Sequence, residues 1–219
     1  ILPVTKEIQR LLRQYGLTRP MEWVPSASRT LSEQDALTEN SEDIDILYIG
    51  QLYQWKGVDT LIRTIGFLDH NYKVMIIGGN REKDKRRVKR LAEETGVRDR
   101  IIFQGHIPHK DVYKFIRRAK LCVIPLPRAR YPESRFCTSP MKMFEILSSG
   151  TAIVASDLPS LREILRHNHN AYLVRPDDPK ALAQGITTLL KDNDLRRRIA
   201  EQGKKDAANF TWSARAQKI

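Results

Sequence analysis

The sequence has little of several features that define common classes of protein. Only two of its 219 residues are cysteines, Cys122 and Cys137, so neither a disulfide framework nor a cysteine-based metal site is expected. No segment approaches the roughly twenty consecutive apolar residues of a membrane span, and no secretory signal is recognisable. Glycine motifs of the Walker or G-x-G-x-x-G type are absent as well. We therefore expect a cytoplasmic protein, which could be peripheral at a membrane surface.

Positive charge, by contrast, is abundant. The 38 lysine and arginine residues outnumber 26 aspartate and glutamate residues and give a net charge of +12. Such a chain attracts phosphates, polyanions and acidic membrane surfaces. The densest basic segment is 81–90, which has helical periodicity and carries seven cations. A solvated helix face explains this segment, and attraction to a membrane surface is the alternative.

From residue 44 onward, short apolar runs alternate with amphipathic segments. The runs predicted to be strands are 44–49, 72–77, 101–104, 121–124, 151–155 and 171–174. The segments predicted to be helices are 58–68, 81–95, 110–118, one beginning at Ser139, 161–165 with a capping box of Ser160 and Glu163, 178–190 and 194–208. This alternation predicts an α/β fold with a Rossmann-like, doubly wound parallel sheet. Ligands of such sheets bind beyond the carboxyl ends of the strands.

Other segments flank this regular pattern. Residues 5–15 have helical spacing and residues 21–24 are predicted to form a short strand. Residues 26–43 are rich in polar residues and are predicted to be a linker, and a further helix begins at 210–213. Because a helical pattern follows almost directly on Ile1, we expect the chain to be a piece of a longer protein.

The segment 137–150, CTSPMKMFEILSSG, is the most informative. Ser139 and Pro140 are typical of a helix start, because the serine oxygen can accept a backbone N–H and proline fits the first helical position. Gly150 is suited to the residue that ends the helix. The apolar residues between these positions predict a helix that is mostly buried.

Glu145 lies inside this predicted helix, where a carboxylate requires a partner or contact with water. An anion at the helix N-terminus and a hydroxyl-bearing ring beside Glu145 would together have the length of a nucleotide. The alternative is that Glu145 faces solvent and pairs with Lys142, three residues earlier.

Several further residues follow predicted strands and are candidates for the same site. Gly50 ends the first strand, and Lys56 then precedes a helix, where a cation adds to the attraction for an anion. Gly78 follows the second strand and His106 the third. Taken singly, each has an ordinary interpretation as a turn glycine, a surface lysine or a loop histidine.

In their order along the chain, these motifs resemble the carboxy-terminal half of the retaining nucleotide-sugar glycosyltransferases related to glycogen synthase. The resemblance is carried by IG and KG at 49–50 and 56–57, VMIIG at 74–78, FQGHI at 103–107, SPMKMFE at 139–145, IVASD at 153–157, and Trp212 with RA at 215–216. It implies one half of the two-domain GT-B fold of the group 1 glycosyl transferases. Residues 44–208 would be the donor-binding domain, 1–43 the tail of an amino-terminal domain plus linker, and 209–219 the start of a carboxy-terminal crossover helix.

The resemblance also implies residue roles. It assigns Lys56 to neutralising the donor diphosphate and Glu145 to binding the donor ribose, and names both as catalytic. The other donor-binding residues that it implies are Gly50, Gln51, Gly78, His106, Ile107, Cys137, Thr138, Ser139, Pro140, Met141 and Lys142. It implies neither a metal nor a cofactor, and the substrate would be a UDP- or GDP-sugar used in polysaccharide biosynthesis. The partners would be the missing acceptor domain and an anionic membrane surface, with no nucleic acid.

Two positions depart from the family pattern. Cys137 stands in place of the first of two paired glutamates, and Gln51 stands in place of an arginine in the phosphate clamp. We expect the isolated chain to bind donor but to transfer sugar weakly or not at all. Two alternatives stay open: a non-catalytic module that binds nucleotides, polyanions or membranes, and a sugar-nucleotide epimerase or phosphorylase on the same two-domain plan.

Overall fold

A parallel sheet of six strands forms the centre of the computed structural model, which describes residues 1–29, 42–128 and 138–219. The strands are β1 (Ile44–Ile49), β2 (Val74–Ile77), β3 (Ile101–Gly105), β4 (Ala119–Ile124), β5 (Ala152–Ser156) and β6 (Tyr172–Val174). Their order is β3-β2-β1-β4-β5-β6, and every neighbouring pair is parallel. The predicted doubly wound sheet is therefore confirmed, and its strand order reverses between β1 and β4.

Helices cover both faces of the sheet. They are α1 (Lys6–Gln14), α2 (Val58–Ile65), α3 (Glu82–Glu94), α4 (Val112–Arg118), α5 (Met141–Ser149), α6 (Pro159–Arg162), α7 (Pro179–Lys191), α8 (Asn193–Ala207) and α9 (Trp212–Ala216). Short 3-10 turns occupy Gln54–Lys56, Arg98–Arg100 and His109–Asp111. Among the described residues, no helix is long and apolar enough to span a membrane.

The core follows from the alternation of side chains along each strand. In β1, Ile46 and Tyr48 join one apolar cluster with residues of α2, α3 and α7. Leu47 lies on the opposite face and joins a second cluster with residues of α4 and α5. Because both faces are covered, β2 and β5 are buried along their whole length, which is why these strands read as continuous apolar runs.

Three local predictions are wrong. Helix α5 begins at Met141 rather than Ser139, because the Ser139 hydroxyl instead accepts a hydrogen bond from the Ser26 N–H at 3.1 Å. Residues 21–24 form no strand, and the pairing near them is a single bridge between Ser28 and Thr211. The capping box of α6 is also absent, since Leu158 is its N-cap residue and the Glu163 carboxylate accepts the Lys6 N–H instead.

The amino-terminal segment packs against the end of the chain and against the sheet domain. Thr5 caps α1 by accepting the Ile8 N–H at 3.1 Å. The Arg215 guanidinium of α9 donates to the carbonyl oxygens of Val24 and Pro25. These contacts connect both termini of the chain. Much of the predicted linker, residues 30–41, lies outside the described residues.

The loops after β1 and β4 approach one another closely at Gly57. Its φ of +76° is left-handed, and a Cβ atom there would lie 1.6 Å from the carbonyl oxygen of Pro125. Only glycine allows this approach without displacing the backbone. The contact sets the distance between the two loops that follow the central strands.

Replacing Gly57 with alanine is therefore expected to destabilise the protein strongly. We expect Gly57→Ala to lower the free energy of unfolding by at least about 3 kcal/mol. The alanine would have a strained φ, and the backbone at Pro125 would have to move away from its Cβ atom. Gly96 is the matched control, since its φ is +68° and no atom lies within 4 Å of an added Cβ. Gly96→Ala should cost only about 1 kcal/mol of strain. Equal losses in urea denaturation would show that the Pro125 contact does not constrain the fold.

Candidate functional site

A cavity of about 340 Å³ opens where the strand order reverses, at the carboxyl ends of β1, β2 and β4. Eight residues predicted from the sequence line it: Gly50, Gln51, Lys56, Gly78, His106, Ile107, Pro140 and Lys142. They come from loops that are distant in sequence, and the parallel strands bring these loops to one edge of the sheet. This is the position where open α/β sheets bind ligands.

Four of the predicted residues that the structure describes do not line the cavity. Thr138, Ser139 and Met141 lie at or just before the start of α5 and are not part of the cavity wall. Glu145 is buried and is not part of the wall either. Cys137 lies outside the described residues. Other residues that line the cavity were not singled out by the sequence, among them Tyr48 and His109.

The floor of the cavity is built by the strand ends. The Gly50 N–H donates to the Ile77 carbonyl at 3.0 Å, and the Gly78 N–H donates to the Gly105 carbonyl at 2.7 Å. The buried hydroxyl of Tyr48 donates to the Gln51 carbonyl at 2.8 Å. Burial raises the pKa of this phenol, which therefore keeps its proton as a hydrogen-bond donor. The loop after β1 is thus held rigidly beneath the cavity.

Lys56 ends the 3-10 turn at one side of the cavity. Its ammonium nitrogen lies 3.9 Å from the centre of the Trp55 ring, and burial lowers the pKa of the ammonium group. Among the described residues, no carboxylate forms an ion pair with Lys56. A cation that is partly desolvated and uncompensated attracts an anion more strongly than a surface lysine does.

Helix α5 presents its N-terminus to the same cavity. Pro140 is the N-cap residue, and no side chain caps the first turn. The N–H groups at the start of a helix have no intrahelical acceptor, so they are available to an anion. Lys142 lies in that first turn and also lines the cavity. Gly150 ends the helix with a φ of +67°, as its sequence predicts.

Glu145 is the most buried charged group near the site, with 3% of its side chain exposed. Its Oε1 lies 2.8 Å from His109 Nε2, within hydrogen-bond distance. Its Oε2 lies 2.7 Å from Lys142 Nζ. The two groups form an ion pair, but the angles at this contact do not meet hydrogen-bond geometry. The predicted pairing with Lys142 is correct, but the carboxylate does not face solvent. The sequence offered no signal for His109, which the fold brings to Glu145 from 36 residues away.

The basic segment 81–90 lies outside the cavity. Four of its seven cations form ion pairs: Arg81 with Asp84, Lys85 with Glu82, Arg87 with Asp59, and Arg90 with Glu94. The Arg87 guanidinium also donates to the Leu52 carbonyl and so supports the loop after β1. The uncompensated cationic surface of this helix is therefore smaller than the sequence predicts.

The fold resembles solved structures of glycosyltransferases. The chain superposes on sucrose-phosphate synthase from Thermosynechococcus elongatus with a TM-score of 0.82 and 22% identity, covering 99% of this chain and 55% of that one. The Anabaena protein HepE in complex with UDP gives a TM-score of 0.81 and 17% identity, covering 100% of this chain and 61% of that one. At these identities the likeness shows the fold.

Sequence similarity indicates the same group of proteins. An uncharacterized glycosyltransferase of Methanocaldococcus jannaschii is 29% identical over 170 residues, which cover 76% of this chain and 41% of the relative. D-inositol 3-phosphate glycosyltransferase of Corynebacterium glutamicum is 29% identical over 183 residues, covering 80% of this chain and 41% of that enzyme. The chain thus spans about two fifths of the length of these curated relatives. Residues 30–206 match the family of Glycosyl transferases group 1. With most of its length matched and its sheet and cavity arranged as described, the chain belongs to the group 1 glycosyl transferases.

Proposed function

We propose that this chain is the donor-binding part of a glycosyltransferase that takes a sugar from a nucleoside diphosphate sugar and transfers it with retention to an acceptor. The observation that carries the proposal is the convergence of Lys56, Lys142 and the uncapped N-terminus of α5 on one cavity. The structural relative HepE has been solved with UDP and with UDP-glucose, which supports a donor of this class.

The diphosphate would lie between Lys56 and the start of α5. A helix N-terminus contributes about 0.3–1 kcal/mol to binding an anion, and up to about 2 kcal/mol when partly buried. Hydrogen bonds to charged groups contribute about 1.5–3 kcal/mol each. Lys56 therefore supplies most of the attraction, and Lys142, whose charge is shared with Glu145, adds less. When the bond to the sugar breaks, negative charge grows on the leaving diphosphate, and the same groups stabilise it without reorganisation.

The nucleoside would extend from the diphosphate toward the loop after β3. His106 and Ile107 line that side of the cavity and are the proposed contacts of the base. Glu145, with its partners His109 and Lys142, is the proposed anchor of the ribose end. The acceptor would come from a second domain, since the curated relatives are more than twice as long as their matched segments. We expect the chain alone to bind donor and to transfer sugar weakly.

Nucleotide binding tests this proposal directly. Isothermal titration of the chain with UDP and GDP should show binding, and Lys56→Ala should weaken the tighter of the two roughly 10- to 100-fold through loss of a charged contact. Its Tm should change only slightly, because Lys56→Ala removes the contact with the Trp55 ring but no ion pair of the described residues. Lys89→Ala, on the exposed face of α3, is the control and should leave the affinity unchanged. A folded chain that binds neither nucleotide would contradict the proposal.

The lowered pKa of Lys56 predicts a pH dependence. Burial disfavours the ammonium form, so Lys56 loses its proton at a lower pH than the ordinary lysine value of 10.5. Affinity for the nucleotide should therefore fall as the pH rises through this pKa. Lys56→Arg, which stays charged, should keep its affinity to higher pH when titrated with the same nucleotide. Parallel pH profiles for the two proteins would mean that Lys56 does not contact the phosphates.

Replacing Glu145 separates a binding role from a structural one. Glu145→Gln keeps the shape of the side chain but removes its charge, and we expect roughly tenfold weaker nucleotide binding because the charge that holds Lys142 and His109 in the cavity wall is lost. Thermal unfolding should show a much smaller effect, and Glu93→Gln on the exposed side of α3 provides the comparison. A large fall in Tm with unchanged affinity would instead assign Glu145 to the core.

A further inference from the structure

A second concave site, a groove of about 1030 Å³, lies between α3 and the loop that follows β1. Five cations line this groove: Arg81, Lys83, Arg86, Arg87 and Arg90. Two carboxylates, those of Asp84 and Glu93, line it as well. Positive charge therefore predominates in the groove, and a concave surface of one predominant charge attracts a ligand of the opposite charge.

Part of this positive charge is held in fixed positions. The Arg81 guanidinium lies 4.2 Å from the centre of the Tyr53 ring and pairs with Asp84 at 2.6 Å. The Arg87 guanidinium is bonded to the Asp59 carboxylate of α2. Because their charges are largely compensated, these two side chains shape the wall of the groove and leave the attraction to other cations.

Lys83 and Arg86 carry the uncompensated charge of the groove. Both are exposed, and neither forms an ion pair with another residue that the structure describes. They are three positions apart on α3, so they lie on the same side of the helix. A guanidinium offers two parallel N–H donors to a carboxylate, and an ammonium adds a point charge. Such a pair is suited to a ligand with more than one anionic group.

The form of the groove indicates which class of anion fits it. The rings of Tyr53 and Trp55 are half-buried, and each already has a cation over it, Arg81 and Lys56 respectively. Nucleic-acid grooves rely on open aromatic faces that stack with bases, and membrane-binding surfaces expose their apolar rings to the bilayer. Neither arrangement is present among these residues. A chain-like anion that is rich in hydroxyl groups fits better.

We propose that this groove binds an acidic oligosaccharide, whose carboxylate groups pair with Lys83 and Arg86. The groove goes beyond the proposed function, which assigns the donor cavity alone, but the choice of a glycan rests on that function. Trp55 lines the groove, and its ring contacts Lys56 of the donor cavity. A glycan chain in the groove is therefore held beside the donor, away from the acceptor hydroxyl that reacts.

Two glycans of the same length test the proposal. The chain is titrated calorimetrically with hexagalacturonate, which carries carboxylates, and with maltohexaose, which is neutral. We expect only hexagalacturonate to bind, with an affinity that falls as the salt concentration rises. The double variant Lys83→Ala/Arg86→Ala should bind it at least about tenfold more weakly, because two charge-assisted contacts are lost. Its affinity for UDP and GDP should be unchanged, since neither residue lines the donor cavity.

The matched control is Arg63→Ala/Lys89→Ala, which removes the same two types of side chain from exposed helix positions outside the groove. It should leave the affinity for hexagalacturonate unchanged, and the Tm of each variant verifies that it is folded. Equal weakening by the two double variants would overturn the proposal, because the general positive charge of the chain would then explain binding. Absence of hexagalacturonate binding, or equal binding of maltohexaose, would overturn it as well.

The same titration with hexathymidylate and with phosphatidylserine vesicles separates the other anionic partners. Tighter binding of either, lost in Lys83→Ala/Arg86→Ala, would assign the groove to nucleic acid or to a membrane and overturn the glycan. A chain that binds hexagalacturonate through these residues but neither UDP nor GDP would support the groove and contradict the proposed donor site alone.

Discussion

The close contact between the loops that follow β1 and β4 is the constraint on which the site depends. These strands pair in parallel, with Ile46 opposite Leu121, so both chains leave the sheet at the same edge and in the same direction. Gly57 then allows the backbone to pass against the Pro125 carbonyl. Lys56, the residue before this contact, is thereby placed across the cavity from the start of α5. A side chain at position 57 would separate these loops and widen the site.

The second constraint is electrostatic. Burying the Glu145 carboxylate is unfavourable unless its charge is compensated. His109 and Lys142 provide that compensation from two different elements, a loop and the same helix. Both partners also line the cavity, so the groups that compensate the carboxylate form part of the cavity wall.

Periodicity predicted the fold well because a doubly covered parallel sheet leaves a strong pattern. The runs at 46–49 and 74–77 are apolar on both faces, and helices such as α2 and α3 have a single apolar face. Glycine and lysine positions near strand ends also predicted part of the cavity wall. Details that depend on distant partners were missed. Ser139 lies in a sequence typical of a helix cap, yet its hydroxyl oxygen accepts the Ser26 N–H. The Glu163 carboxylate accepts the Lys6 N–H of α1 instead of capping its own helix.

The sequence by itself determined the class of fold, the edge of the sheet where the cavity lies and several of the residues that line it. These features follow from local spacing, because parallel strands necessarily carry their carboxyl ends to a common edge. Only the tertiary structure decided that Glu145 is shielded from solvent and that it contacts His109 in the cavity wall. That relation joins residues 36 positions apart through a 2.8 Å contact. No periodicity encodes it, since it arises from how the loop after β3 packs against α5.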